Sequence, residues 1–366
     1  MGLSNLVYPG ANHTRFHHAL GCLHLMIKTV SVLRIKGVVI STSEENALYI
    51  AILLHDIGHG PFSHALEYSI VNGITHEEIS LKYMKLLNQK FDGQLALAIE
   101  IFTGNYHRSF LHQLISSQLD IDRLDYLKRD SFFTGVVEGN ISSERLIAMM
   151  NVIDDELVIE KKGIFSVENF LIARRFMYWQ VYLHKTGLVA ENILMKILTR
   201  AKELAKNGVN LFCSSHLHFF LYHKIEMKTF DETVLGHFSK LDDYDIFSAI
   251  KEWTHHSDYV LSNLSKMIVN RNLLKIEMSD IEFSEDHLSK IKKKLMKNRN
   301  LTEKEISYFV FESEISNQAY HKNQPIKIVN NLGELNDIID ESDQLILQVL
   351  SKKVTKYFLC YPKKWN

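Results

Sequence analysis

The sequence predicts a mainly α-helical protein that carries a smaller α+β subdomain at its C-terminal end. Three observations carry this prediction. Pro9, Pro61, Pro325 and Pro362 are the only prolines, so 62–324 runs without one, a condition that favours long helices. The run Ala47-Leu48-Tyr49-Ile50-Ala51-Ile52-Leu53-Leu54 is apolar on every side, as expected of a helix buried in the middle of a bundle. Beyond about residue 270 the texture changes to short β-branched and aromatic runs separated by polar stretches.

Taken in chain order, Pro9 and Gly10 make a turn, and the His-rich stretch from His13 to Gly21 opens a helix. The buried helix 47–54 follows. Gly58 and Gly60 let the chain turn sharply after it, and Pro61 stops any continuation. Ser117 to Asp130 reads as a helix with carboxylates and cations at turn spacing. Asp155 to Glu160 is expected to pair in a short hairpin with Ile164 to Ser166, turning at Lys162 and Gly163. Helices then continue to about Asn270, one of them over 167–185. Strands are expected at Leu273–Ile276, Tyr308–Phe311, Ile326–Val329 and Lys356–Cys360, with helices over Glu285–Lys297 and Leu332–Ile339. The expected division is a catalytic unit over 1–190, followed over 191–366 by a helical extension and the α+β subdomain. No linker marks the boundary.

A chain of 366 residues with 46% hydrophobic residues buries a sizeable core. The net charge of −1 is not the bulk charge of a dedicated nucleic-acid binder, so any attraction for phosphate must be local. Cys22, Cys213 and Cys360 are odd in number and unclustered, which suits reduced thiols and a cytoplasmic location. No apolar run approaches ~18 residues and no signal sequence opens the chain, so neither membrane insertion nor export is expected. The one notable charge run, Lys290 to Lys297, reads most simply as a solvated helix face. A nucleotide or nucleic-acid contact is the other reading.

The chemistry concentrates at His55-Asp56, which closes the apolar helix. An imidazole and a carboxylate buried there cost several kcal/mol unless compensated, and a bound cation compensates both. A lone buried histidine is more often a hydrogen-bonded core residue. Here His59 and His64 follow at once, and two other segments, Asn12 to Gly21 and Ser117 to Asp130, offer further donors.

These three segments, in this order, resemble the HD-domain phosphohydrolases, and the fold implied is an HD-domain helical bundle. The strings Arg15 to His18, His55 to His64, Thr75-His76-Glu77 and Asp120 to Asp130 are similar to the deoxynucleoside triphosphate triphosphohydrolase branch, which includes the SAM-and-HD-domain protein and bacterial dGTPase-like enzymes. The likeness covers residues 3 to about 190. It implies His18, His55, Asp56 and Asp122 as ligands of one divalent ion, of which iron, manganese, zinc, nickel and magnesium all suit such donors, and magnesium accompanying the nucleotide is compatible with it. Relatives usually carry Glu or Gln at the position of His17. His18 is therefore the expected ligand and His17 a neighbour, while His13 and His24 read as surface or hydrogen-bonded histidines.

The resemblance further implies phosphate contacts from Arg15, Arg123 and Arg174, where relatives often have Lys at the position of Arg123. Tyr126 would contact phosphate and Asp130 the sugar hydroxyl. Arg174, Tyr178, Tyr182 and Lys185 share one helix face, a spacing that an ordinary amphipathic helix shows equally. Acid–base work falls to His59, His64, Glu67 and His76, with His64 against the phosphate and Glu67 and His76 tuning it. Asp125 is expected simply to pair with Arg129 one turn on.

The implied reaction is metal-dependent hydrolysis of a deoxynucleoside triphosphate to deoxynucleoside and triphosphate. The alternatives are another HD reaction, as nucleotidase or phosphodiesterase, or a non-catalytic nucleotide sensor or nucleic-acid-binding protein. Relatives form homo-oligomers and some bind activating nucleotides between subunits, so a dimer or larger assembly is expected and a regulatory nucleotide stays open. Family members usually carry a further helical segment ahead of the Leu3–Gly10 stretch, so the start at Met1 suggests a shortened N-terminus.

Overall fold

The computed structural model describes residues 2–62, 69, 71, 73–298, 301–343 and 346–363. It is mainly helical with two small sheets. The helices begin where side chains satisfy the free N–H groups of a first turn. Thr14 caps α1 (Arg15–Ile35), Ser41 caps α2 (Thr42–Leu54) and Thr75 caps α3 (His76–Lys90), each in a reciprocal box with the residue three positions on. Two short helices, α4 (Ala96–Phe102) and α5 (Ser109–Ile115), lead to α6 (Ile121–Thr134). Asp120 caps α6, and Gly135, at φ 76°, ends it in the left-handed region.

The box at α1 explains His17. Its Nδ1 accepts the Thr14 N–H at 3.2 Å, doing the work that Glu or Gln does in most such boxes. The residue is exposed.

Sequence expectation and structure part company after α7 (Ser143–Met149). The hairpin partner of β2 (Glu156–Glu160) is β1 (Met150–Ile153), not 164–166, with Met150 opposite Ile159 and Ile153 opposite Glu156. The tight turn is Asp154-Asp155, both at positive φ, which short polar side chains tolerate. Ile164 instead starts α8 (Ile164–Met177). The helix expected over 167–185 is also interrupted. A π-helical turn at Tyr178–Tyr182 ends it, and α9 (Lys185–Lys206) starts afresh after His184, so Lys185 belongs to a different helix from Arg174.

Then come α10 (Ser215–Tyr222), α11 (Glu232–Phe238), α12 (Asp243–Trp253) and α13 (Tyr259–Val269), which pack around Phe220, Trp253 and Leu261. The α+β part follows as expected, with shifted edges. β3 (Lys275–Ser279) and β4 (Phe311–Asn317) start later than Leu273 and Tyr308, because Leu273, Leu274, Tyr308, Phe309 and Val310 are spent in the core beside α9–α13. Between them lies α14 (Glu285–Asn298). The stretch 332–339 is not one helix. Gly333 at φ 83° turns the chain between β5 (Lys327–Val329) and β6 (Leu335–Asp337), and only a short helical turn, Ile338–Glu341, follows. β7 (Val354–Tyr361) sits between β3 and β4 in an antiparallel sheet.

The second sheet, in the order β1-β2-β5-β6, ties distant parts of the chain together, since β5 runs parallel to β2. Ala319, Tyr320, Ile328 and Leu347 join the core formed by α1, α2, α6 and α8. The Gln118 amide completes the seam by donating to the His321 carbonyl at 2.7 Å and accepting the His321 N–H at 2.6 Å. By length and composition α1 could cross a membrane, contrary to the reading that no run is apolar enough. Here it buries Cys22, Met26, Val30 and Leu33 in that same core.

Candidate metal centre

Three helices deliver the candidate ligands. His18 lies in the second turn of α1, His55 caps the end of α2, and Asp122 sits in the first turn of α6. The turn after α2 is fastened to α3: Ser80 donates its hydroxyl to the His55 carbonyl at 2.8 Å and accepts the Gly58 N–H at 2.9 Å. Gly58 is needed for this approach, since a Cβ there would lie 2.1 Å from the His76 carbonyl oxygen. Its role is close contact rather than a special φ. The same clasp brings His59 face to face with His76, their rings 3.7 Å apart.

The expected ligand set comes together in space. His18 Nε2 lies 3.0 Å from Asp122 Oδ1 and 3.9 Å from Asp56 Oδ2. His55 Nε2 lies 3.5 Å from Asp56 Oδ1 and 3.6 Å from Asp122 Oδ1. Asp56 also reaches Arg15, and its Oδ1 is 3.5 Å from His59 Nε2.

Two features show that these residues fit a cation. His55 Nε2 is buried and makes no hydrogen bond, although His55 Nδ1 is committed to the Ile52 carbonyl at 2.6 Å. Charge is also out of balance. Burial alone would lower the pKa of His18, yet Asp122 and Asp125 raise it; burial likewise opposes the charged form of His55, yet Asp56 and Asp122 raise it. Burial pushes Asp122 up, but the hydrogen bond from His18 and the positive charge of His55 nearby hold it well below the usual carboxylate range. The carboxylates therefore favour positive charge beside them, which protonated histidines or a divalent ion would supply.

Asp125 does more than its expected pairing. It takes both hydrogen bonds of the Arg129 fork at 2.8 Å and also holds His18 Nδ1 at 2.7 Å. That contact fixes the imidazole with Nε2 turned toward Asp122, the arrangement that orients a metal-binding histidine. Gly21 leaves room for it, because a Cβ there would stand 2.0 Å from both Asp125 Oδ1 and Arg129 Nη2. Cys22 Sγ is nearly equidistant from the two ring nitrogens of His18, 3.5 and 3.7 Å, and so packs alongside the ring. Asp125→Ala is expected to weaken metal affinity by roughly 10–100-fold while leaving helix content unchanged. Competition against a chelator measures this, and unaltered affinity would remove Asp125 from the centre.

The cluster opens into a cavity of about 710 Å³. Arg15, Arg123, Tyr126, Asp130, Tyr178 and Tyr182 line it, together with His59 and His76. Arg123 leans on its own cap, Asp120. Arg174 is not in the lining; it is buried behind the wall, with Nη1 3.5 Å from the Ala319 carbonyl. Asp130 is held on both sides, by His13 Nε2 at 2.6 Å and by the Tyr182 hydroxyl at 2.8 Å. His13 is thus one of the hydrogen-bonded histidines, stacked on Phe133 and facing the cavity. His24 is exposed. His64 and Glu67 lie outside the described residues.

Comparison with known proteins shows the family. The HD domain model matches residues 15–130, and the model of an HD associated region matches 141–212. The solved structure of a phosphohydrolase from Bacteroides thetaiotaomicron VPI-5482 superposes with a TM-score of 0.95 at 52% identity, covering 99% of this chain and 91% of that one. The chain belongs to the HD phosphohydrolase family. This HD phosphohydrolase is also 30% identical to the uncharacterized protein YwfO of Bacillus subtilis, over 99% of the chain and 84% of the relative. The deoxynucleoside triphosphate triphosphohydrolase SAMHD1 of Homo sapiens is 26% identical over 56% of the chain, a match spanning 39% of that protein.

Proposed function

We propose that this HD phosphohydrolase cleaves deoxynucleoside triphosphates at the α-phosphorus, releasing the deoxynucleoside and intact triphosphate. One observation carries the reading. The His/Asp cluster, two arginines and the Tyr126–Tyr182–Asp130 group all face a single cavity of about 710 Å³, within the size range of small-molecule sites. The relatives named deoxynucleoside triphosphate triphosphohydrolases, from Homo sapiens and as a homolog in Dictyostelium discoideum, support it.

In this reading His18, His55, Asp56 and Asp122 would hold a divalent ion, which when bound would supply Lewis-acid polarisation of a phosphoryl oxygen and a more acidic water. Arg15 and Arg123 neutralise the phosphate chain, Arg with the geometry that meets two oxygens at once. Tyr126 directs its hydroxyl at phosphate. Asp130, its orientation fixed by His13 and Tyr182, accepts a hydrogen bond from the sugar hydroxyl. His59 receives the proton of the attacking water, and His64, tuned by Glu67 and His76, returns one to the sugar oxygen as its bond to phosphorus breaks. The chemistry belongs to residues 1–190, with 191–366 as helical extension and α+β subdomain, and the working form is a homo-oligomer.

Chromatography of products from the four deoxynucleotides tests the reaction. Triphosphate and deoxynucleoside are the expected products. Release of monophosphate would reassign the chain to nucleotidase or phosphodiesterase chemistry, and absence of turnover with metal bound would make it a sensor.

A further inference from the structure

Gly187 stands in the first turn of α9, and inside a helix glycine is less favourable than alanine. Nothing in the fold asks for it. Its φ is not in the left-handed region, and a Cβ built there would meet no described atom within 4 Å. Gly21 and Gly58 differ, since a Cβ on either would stand 2.0 or 2.1 Å from a neighbour. Gly187 is half-buried and lines the catalytic cavity of about 710 Å³, so the room it leaves belongs to that cavity.

The wall around this room is largely apolar. Leu183 follows directly on Tyr182, whose hydroxyl meets Asp130, and Leu183 and Leu188 line the cavity on either side of Gly187 in the chain. Leu3 lines it too and packs in one core with Val189 and Ala190 of α9. Of the residues that α9 gives to the lining, Gly187, Leu188 and Glu191, none is a cation. The arginines of the lining stand instead with the His/Asp cluster, Arg15 in contact with Asp56 and Arg123 next to Asp122 in α6. A phosphate chain at that cluster and a sugar hydroxyl at Asp130 leave the remaining part of a nucleotide, its flat base, for the wall beyond Tyr182.

We infer, on the nucleotide reading above, that Gly187 is a specificity-determining position, holding this wall back far enough for the two fused rings of a purine. A side chain at 187 would take up width that a purine uses and a one-ring pyrimidine does not. It would therefore sort substrates by base size.

Gly187→Ala and Gly187→Leu, compared with the wild type on the four deoxynucleoside triphosphates, test this role. The leucine variant is expected to lose about tenfold or more in kcat/KM on the two purine substrates and much less on the two pyrimidines, with the alanine variant between it and the wild type. The purine-to-pyrimidine ratio is the readout, because misfolding or loss of metal lowers all four rates alike. Circular dichroism should show unchanged helix content, and alanine, which suits a helix better than glycine, keeps the comparison available if leucine is not tolerated. Calorimetric titration of chelator-treated protein with deoxyguanosine and deoxycytidine triphosphates reads the same ratio without turnover. A purine-selective loss of binding in a protein that hydrolyses neither nucleotide would overturn the reaction and leave the role of Gly187 standing. Equal losses on both base sizes, or none in either variant, overturn that role, as does a wild type that binds no nucleotide.

Discussion

Asp56→Ala is expected to purify without metal and without turnover. Asp56 is the residue on which most of the centre converges, with His55 and His59 each at 3.5 Å, His18 at 3.9 Å and Arg15 in direct contact. Its carboxyl is partly buried, which would raise its pKa, but the positive charge of His55, Arg15 and His59 holds it at about 2. Removing it takes away one ligand and the counter-charge of its neighbours together. The remaining donors keep roughly 1–3 kcal/mol of uncompensated polarity, enough to lower thermal stability without undoing the helices. Metal analysis of the purified variant, with circular dichroism as control, decides the matter. A full complement of metal in Asp56→Ala would show that the ion sits elsewhere.

The second large effect is expected at Arg15. Among the described residues the arginines of the catalytic cavity are Arg15 and Arg123, and Arg123 is already engaged by Asp120. Arg15 sits at the start of α1, its side chain 38% exposed, and reaches both the cavity and Asp56. Truncating one member of a charged pair with bound phosphate costs about 2–5 kcal/mol, so Arg15→Ala should lose on the order of 10² to 10³ in kcat/KM. Metal content should stay at the wild-type level, which separates this variant from Asp56→Ala. If the ion is lost as well, the task of Arg15 is to support Asp56 rather than to meet substrate.

Much of the centre was legible because its signals are local. His55-Asp56 at the end of an apolar helix, followed by two glycines and a proline, is a chemical anomaly within a dozen residues, and the segments around His18 and Asp122 supply complementary donors. In the structure His18, His55 and Asp122 cluster together, and Asp56 stands beside them in a neighbouring group with His59 and His76. The helical class was equally legible from the proline-free span, as was the change to short strands near the C-terminus.

What the sequence hid is whatever has two partners. Asp125 has a sufficient local explanation in Arg129, four residues on, and nothing along the chain announces that the same carboxylate also orients His18 from another helix. His13 looked incidental until folding placed it against Asp130. His17 departs from the pattern of its relatives, yet its capping role needs only the three residues from Thr14, so its meaning is conformational. Strand pairing followed the same rule. The apolar run Ile164 to Ser166 suits a strand or a helix by composition, and the positive φ angles of Asp154 and Asp155 settled the hairpin by turning β1 onto β2 instead.

The sequence by itself pointed to a candidate metal site, because metal-ligating residue types in an apolar setting are costly wherever they occur, and its resemblance to HD-domain phosphohydrolases named the expected ligands. Only the tertiary structure decided the orientation of that chemistry and the union of the chain's two ends. β5 lies parallel beside β2, and Tyr320 packs in the same core as the ligand-bearing helices. Such contacts join residues more than a hundred and fifty positions apart, and their stability comes from shared burial, which no local pattern of residues records.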